Sequence, residues 1–474
     1  MKIQKFYKQQ IMKKQNIIKG SLLIFTMFVV QSCFVAKEYV KPEVTTDNLY
    51  RTEQIADSSS LASMSWDKIF TDSLLQNHIS EAVQNNLDMK IALQNMAAAE
   101  ATMKQGKAGY FPTLNGNATW THQETSENSQ FGSLFSSIDQ YELSAKLSWE
   151  ADIWGKIRSN KRATVAKFLE SEVARQAVQT QLVANVASVY YQLLALDAQI
   201  KVVTTTLENR NESVEVIKAL KDAGNVNEVA VKQTEAQQYA AQIILEDLKF
   251  NVRVLENTFN QLLGKAPNTV ERSLFENQII NAEIKTGLPT FLLSQRPDVV
   301  AAELNFRNAF ELTNVARSSF YPSLTLNATT GLQSLELKEW FSTKSIFANI
   351  ISGLAQPIFN QRQNKTRLEV AKANQQKAYL QFEKSLLVAG KEVSDALANY
   401  ENESTKLVIR KKQVEALKNA ADYSDELLQY GMVNYLEVLT AKDNALNTEI
   451  NYIDNKYKQL NAVITLYKAL GGGN

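Results

Sequence analysis

The sequence predicts a mainly helical protein with membrane-spanning β-strands, built as a tandem duplication of long helical hairpins. Apolar residues recur every seven positions through a stretch that has no Pro or Gly between Gly155 and Gly224. The same spacing returns in the second half, where Val393 follows Val186 by 207 residues. Other segments alternate apolar and polar residues with period two, which is typical of half-buried strands.

The first long helix is predicted from its heptad seam. The apolar seam positions are Val186, Leu193, Ile200, Leu207 and Val214, together with Val189, Leu196, Val203 and Ile217. Arg210 is the single interruption. At ~1.5 Å per residue such a helix extends on the order of 100 Å, so it must lie against other long helices. Each half is therefore expected to contain a long helix, a turn at Gly224 or Gly431, and a shorter return helix. A soluble antiparallel coiled-coil rod is the alternative that the helices alone leave open.

The start of the chain predicts a lipoprotein signal peptide at residues 1–32. Six lysines precede an apolar run that is too short to span a bilayer. The run ends in V-Q-S-C, which is similar to a lipobox, so Cys33 is expected to be acylated and residues 33–65 to form a lipid-anchored segment. An ordinary signal peptide with an incidental Cys is the alternative, and translation could instead begin at Met12.

The remaining chain is predicted to form two repeats, at 66–264 and 295–474, with a linker at 265–294. The first repeat is expected to open with a helical region from Trp66 to about Gly109. In both repeats such a region ends in two aromatic residues and a proline, and Pro322 follows Pro112 by 210 residues.

Each repeat is expected to contribute two strands. They are predicted at about 113–122, 141–151, 323–331 and 345–354. One apolar and one polar face fit strands with lipid on one side and water on the other. A soluble sheet lying on the helices is the alternative. Four strands cannot close a barrel, and open edges are not tolerated in hydrocarbon. Three chains would share twelve strands and twelve helices, which predicts a trimeric 12-helix α-barrel with a 12-stranded β-barrel.

Composition argues against an enzyme, a resident metal or another cofactor. The chain has one Cys and two His, and it lacks a phosphate-binding glycine loop or a GxSxG elbow. Glu150 and Asp152 could be read as paired carboxylates, but their place between a strand and a helix favours a structural junction. Removal of the six signal-peptide lysines takes the formal charge from +1 to −5, which leaves no basic field for nucleic acid.

Four segments of the chain are distinctive. They are QRPDVVAAE at 295–303, WEADIWGK at 149–156, YGMVNYLEVLTA at 430–441 and YPSL at 321–324. Together they resemble the TolC-type outer-membrane efflux protein family, in particular its lipoprotein branch that serves RND-type pumps. The resemblance implies a homotrimeric duct anchored in outer-membrane lipid. It also implies that a periplasmic adaptor and an RND-type inner-membrane pump dock at helical tips formed by Gly224, Asn225, Gly431 and Met432.

The resemblance further implies a periplasmic gate lined by acidic residues near the second tip. By their spacing from Gly431, Glu437 and Thr440 take those places, and the first tip has Ala230 at the matching position. A solvated surface role is the alternative for Glu437. A lipid-anchored periplasmic adaptor or a coiled-coil scaffold without a pore is the alternative function. The cargo is left open by the sequence.

Overall fold

The computed structural model describes residues 35–44, 49–50, 64–126, 128, 137–278 and 292–472. Cys33 and the predicted signal peptide lie outside the described residues. The helices are α1 (Trp66–Ile69), α2 (Ser73–Asn85), α3 (Leu87–Ala108), α4 (Lys156–Asp222), α5 (Glu228–Leu262), α6 (Leu292–Gln295), α7 (Pro297–Ser318), α8 (Gln363–Gln429) and α9 (Tyr435–Ala469). The strands are β1 (Thr113–Glu124), β2 (Ser137–Glu150), β3 (Ser323–Ser334) and β4 (Ile346–Ala355).

The two predicted long hairpins are present, as α4 with α5 and α8 with α9. Both long helices have 67 residues and both return helices have 35. All four predicted strands are present as well. Strands β1, β2 and β3 extend beyond a predicted end because ladder pairing continues past the apolar alternation, as in the pair Glu124 and Ser137. Strand β4 lies one residue later than predicted.

The helical region expected to run from Trp66 to about Gly109 is divided into α1, α2 and α3. Asp72 interrupts it because its carboxylate accepts hydrogen bonds from the amides of Leu74 (2.9 Å) and Leu75, which caps α2. Asn86 interrupts it again, since its Oδ1 accepts from the Asp88 amide at 2.8 Å. Polar side chains that cap a new helix favour a break over a continuous one.

The chain forms two compact units, and each draws on both predicted repeats. The strand unit contains the described residues of Met1–Glu43, Ala97–Glu170 and Glu303–Gln381. The helix unit contains the described residues of Val44–Met96, Ser171–Ala302 and Phe382–Asn474.

The core of the helix unit combines seam positions of the long helices with residues of other faces and of α1 and α2. Its most deeply buried large side chains include Tyr190, Tyr191, Leu193, Phe259, Phe382 and Tyr467. Val186 and Val393, the equivalent seam positions of the two long helices, are fully buried. A second cluster joins Val203 to Leu245, Leu248 and Leu446. The apolar seams therefore hold the long helices together within the unit.

The strand unit contains one antiparallel sheet in the order β1-β2-β3-β4. The register places apolar residues of all four strands on one face. Leu147, for example, lies opposite Leu114 on β1 and Ala328 on β3, and Ala328 lies opposite Ile350 on β4. The other face is mostly polar, with Lys146 opposite Asn115 and Thr329. The sheet thus has the two environments that the alternation predicts.

The junction between β2 and α4 is structural, as predicted. Asp152 accepts from the amides of Ile157 (2.8 Å) and Arg158 (2.9 Å), which caps α4. Glu150 pairs with Lys156 at 2.8 Å. No helix within the described ranges combines the length and the apolar character needed to cross a membrane.

Candidate functional site: the helical tips

Both predicted tips are tight turns closed by a glycine. Gly224 has a φ of 77°, and the amide that follows it donates to Leu220 O at 2.9 Å. Gly431 has a φ of 66°, and the Met432 amide donates to Leu427 O at 3.0 Å. These are the backbone bonds of a helix that ends in a left-handed residue, a conformation that glycine adopts without steric cost.

The tips are exposed in the single chain. A Cβ added at Gly224 or Gly431 would meet nothing within 4 Å. Asn225 is exposed, and Met432 is 71% exposed. Three more large apolar or aromatic side chains beside the turns are exposed, namely Val229, Tyr430 and Leu436. The tips therefore present apolar side chains and polar backbone to whatever surrounds them.

The predicted gate residues lie on the first turns of α9. Glu437 is exposed, and it makes two hydrogen bonds with the side chain of Asn434, the N-cap residue of α9. Its amide donates to Asn434 Oδ1 at 3.0 Å, and its carboxylate accepts from Asn434 Nδ2 at 2.9 Å. Thr440 is exposed one turn later and donates to Leu436 O at 2.8 Å. Glu437 therefore has a local structural role in addition to the role that the resemblance implies.

The first tip has the same design without the acid. Asn227 caps α5, and its Oδ1 accepts from the Ala230 amide at 3.2 Å. Ala230 occupies the position equivalent to Glu437, so no carboxylate at that position reaches the cap residue. The acid of this turn is Glu228, which pairs with Lys221 at 2.8 Å.

A polar network behind the tips joins the two hairpins and was not predicted. Arg210 donates to Asp443 on α9 and to Gln237 O on α5. The interruption of the heptad seam at Arg210 was the signal in the sequence, but its partner is 233 residues away. Burial raises the pKa of Tyr435, and a hydrogen bond with Thr234 opposes the shift.

Arg210 and Tyr435 also line a groove of about 720 Å³ between α4, α8 and α9. The groove contains charges of both signs. Its acids are Glu212, Asp422, Asp425 and Glu449, and its bases are Arg210, Lys418 and Lys442. Lys442 pairs with Asp425 at 2.8 Å and Lys418 pairs with Glu449. Within the described ranges there is no group of three or more His, Cys, Asp or Glu residues placed to hold a metal ion.

Comparison with known proteins agrees with this architecture. The family model described as outer membrane efflux protein matches residues 78–265 and 288–472. The probable outer membrane lipoprotein SilC of Salmonella typhimurium is 27% identical over 459 residues, which cover 95% of this chain and 98% of that protein. The solvent efflux pump outer membrane protein SrpC of Pseudomonas putida is 28% identical over 464 residues, covering 96% and 98%.

A crystal structure of a membrane protein from Pseudomonas aeruginosa superimposes with a TM-score of 0.85 at 26% identity. It covers 92% of this chain and 97% of that one. The predicted fold class is confirmed by such neighbours, and the predicted outer-membrane location is confirmed by the named relatives. The chain belongs to the outer membrane efflux protein family and is an outer-membrane efflux channel protein.

Proposed function

We propose that three copies of this chain form the exit duct of a tripartite efflux system. The duct passively conducts small molecules that an RND-type inner-membrane pump expels through a periplasmic adaptor. The observation that carries the proposal is the sheet, which has an apolar and a polar face and, within the described residues, two outer strands that each pair on one side only. Hydrocarbon does not tolerate such edges, and twelve strands from three chains would remove them.

Conductance tests the proposal directly. The protein purified in detergent is expected to migrate as a heat-labile trimer and to give cation-selective conductance in planar bilayers. A monomeric, water-soluble particle without ion flow would contradict it. That result would favour the lipid-anchored adaptor or the coiled-coil scaffold, since neither needs a pore.

We propose that the adaptor docks at the tips around Gly224 and Gly431. Support comes from the exposure of Asn225 and Met432, which no described part of the chain covers. Replacing either residue with Trp is expected to reduce export while the trimer still forms, because the tips contribute nothing to the described core. The matched control is Ala at the same position, which should leave export unchanged. Full export by both Trp variants would exclude docking at these positions.

We propose that Glu437 and Thr440 line the periplasmic constriction. Three Glu437 carboxylates around one axis would attract cations and repel each other. Because Glu437 also accepts a hydrogen bond from the cap residue Asn434, its charge and this local contact must be separated. Glu437→Gln keeps an oxygen that can accept from Asn434 and removes the charge, whereas Asn434→Ala removes the cap and keeps the charge.

Single-channel recording of these two variants decides between the roles. A gate predicts that Glu437→Gln lowers cation selectivity and that Asn434→Ala retains it. If Glu437→Gln conducts like the parent and only Asn434→Ala differs, the Asn434 cap matters and the charge of Glu437 does not, so the gate assignment fails.

A further inference from the structure

The pairing of β2 with β3 inside one chain has the arrangement that the outer strands of two neighbouring copies would have in the proposed barrel. Strands β1 and β2 belong to the first repeat, and β3 and β4 belong to the second. The pair Thr113 and Ser148 becomes the pair Ser323 and Ala355 when β1 is advanced by 210 residues and β2 by 207. The two hairpins therefore have the same register. The β2·β3 seam is the place where one repeat meets the next inside one chain.

Details at the strand ends follow the same two offsets. Trp149 Nε1 donates to Tyr110 O at 2.9 Å, and its equivalent Gln356 donates through Nε2 to Phe320 O at 3.2 Å. The left-handed residue before α4 is Gly155, with a φ of 74°, and its equivalent before α8 is Arg362, with a φ of 65°. The equivalence thus extends from the strands into the following junctions.

Equivalent strands and junctions of the two repeats differ in how exposed they are. Strand β1 is exposed at every residue, whereas β3, its equivalent between two neighbours, is exposed at only two of its twelve. The junction after β4 shows the same contrast. Ile358 is 99% exposed, and Phe359 is 88% exposed. Their equivalents in the first repeat, Ala151 and Asp152, are half-buried.

We propose that β4 of one copy pairs with β1 of the next copy in the register of the β2·β3 seam. In that seam Leu147 lies opposite Ala328 and Ser148 lies opposite Asn327. In each pair, the β4 equivalent of the β2 residue is 207 positions later, and the β1 equivalent of the β3 residue is 210 positions earlier. The equivalent pairs between copies are therefore Leu354 opposite Ala118 and Ala355 opposite Asn117 of the next copy. The inference rests on the three-copy duct proposed above and specifies how its copies join.

The register keeps every residue on its own face of the sheet. Leu354 and Ala118 both lie on the apolar face, and Ala355 and Asn117 both lie on the other. A slip of one residue would turn the apolar face of each added strand toward the polar side. The continuous apolar band therefore excludes odd shifts.

The residues that follow β4 distinguish the proposed register from registers in which β4 is shifted along β1 by an even number of residues. The Ala151 amide donates to Leu324 O at 2.9 Å, which extends the seam by one pair. The equivalent pair across copies is Ile358 opposite Leu114, which is 70% exposed in the single chain. A shift by two residues would leave Ile358 without this apolar partner. In the proposed register, Ile358 and Leu114, which are both exposed in the single chain, therefore contact each other and lose exposed apolar surface.

Paired cysteines test the register. Asn117→Cys with Ala355→Cys is expected to give covalent dimers and trimers under mild oxidation, and reductant should return them to monomers. The matched internal control is Ser148→Cys with Asn327→Cys, whose native side chains are hydrogen-bonded at 2.9 Å. That control should form its disulfide within one chain. The parent, whose only cysteine is Cys33, is the blank.

Displaced pairs complete the design. Ala355→Cys with Asn115→Cys, or with Thr119→Cys, would place the Cα atoms roughly 8 Å apart, beyond the ~7 Å that a disulfide bridges. Crosslinking through a displaced pair and not through Asn117 would overturn the register while leaving the shared barrel intact. If a trimer forms and conducts yet no pair crosslinks between copies, the register is also wrong. A monomer without conductance would instead contradict the proposed function.

Discussion

Arg210 and Asp443 form an ion pair that connects the first long helix to the last helix of the chain. Arg210 is 8% exposed, whereas the Asp443 side chain is 27% exposed. The guanidinium also donates to Gln237 O, so one buried side chain holds three helices together.

The unequal burial predicts unequal costs of breaking the pair. Asp443→Leu leaves the buried guanidinium without its carboxylate and is expected to cost ~3 kcal/mol of local stability. Arg210→Met leaves a partly hydrated carboxylate and is expected to cost ~1 kcal/mol. The double variant should recover most of the loss, since no charge is left unpaired. Hydrogen exchange of α9 amides measures each variant, and simple additivity would contradict the coupling.

Replacing Arg296 with Lys is expected to destabilise the helix unit by ~3 kcal/mol, although the charge is conserved. Arg296 donates to Asp298 at 2.7 Å, to Glu392, and to Ala469 O at the end of α9 at 3.0 Å. A lysine has no planar fork with which to reach all three.

Thermal unfolding of the Arg296→Lys variant checks that expectation. The control is Lys391→Met on α8, which removes an exposed pair with Asp395 and should not change the transition. Equal midpoints for the two variants would show that the positive charge at position 296 is sufficient and that the planar fork of Arg296 adds nothing.

Asp72 predicts an acid-dependent stability. Burial would raise the pKa of Asp72, but hydrogen bonds from Ser273, Tyr190 and Gln278 outweigh it and hold the pKa below its ordinary value. A carboxylate with a lowered pKa stabilises the fold above its unfolded pKa of about 4, and the contribution is lost as the pH falls through the folded pKa.

Asp72→Asn isolates this effect because Asn also caps a helix well. The variant is expected to be less stable than the parent at pH 7, and the difference should shrink as the pH falls below about 4. Hydrogen exchange or thermal unfolding between pH 7 and pH 3 measures it. A difference that does not change with pH would show that the ionised form of Asp72 has no special role.

Trp154→Phe is expected to cost ~1 kcal/mol in the strand unit. Phe retains the stacking on Tyr321 but loses the hydrogen bond from Nε1 to Pro322 O, which is 2.7 Å long. Trp149→Phe is the matched control, because its bond to Tyr110 O lies at an exposed site where water can replace it. The temperature at which the trimer dissociates should fall more for Trp154→Phe. A larger fall for Trp149→Phe would contradict this reasoning.

The sequence by itself determined the features that depend on neighbours along the chain. The long helices follow from seven-residue spacing, the tips from Gly224 and Gly431, and the strands from period-two alternation, because each depends on local backbone geometry. The Asn434 cap and its contact with Glu437 three residues later are local as well and could have been predicted from their spacing.

Only the tertiary structure decided the pairings between distant residues. Arg210 could be recognised as an interruption, but Asp443 could not be chosen among the many acids of the chain. Asp72 likewise could be expected as a helix cap, whereas its bonds to Tyr190 and Gln278 depend on how the helices pack. The register of the β2·β3 seam also required the folded sheet, since period two identifies the faces of a strand but not its partner residues.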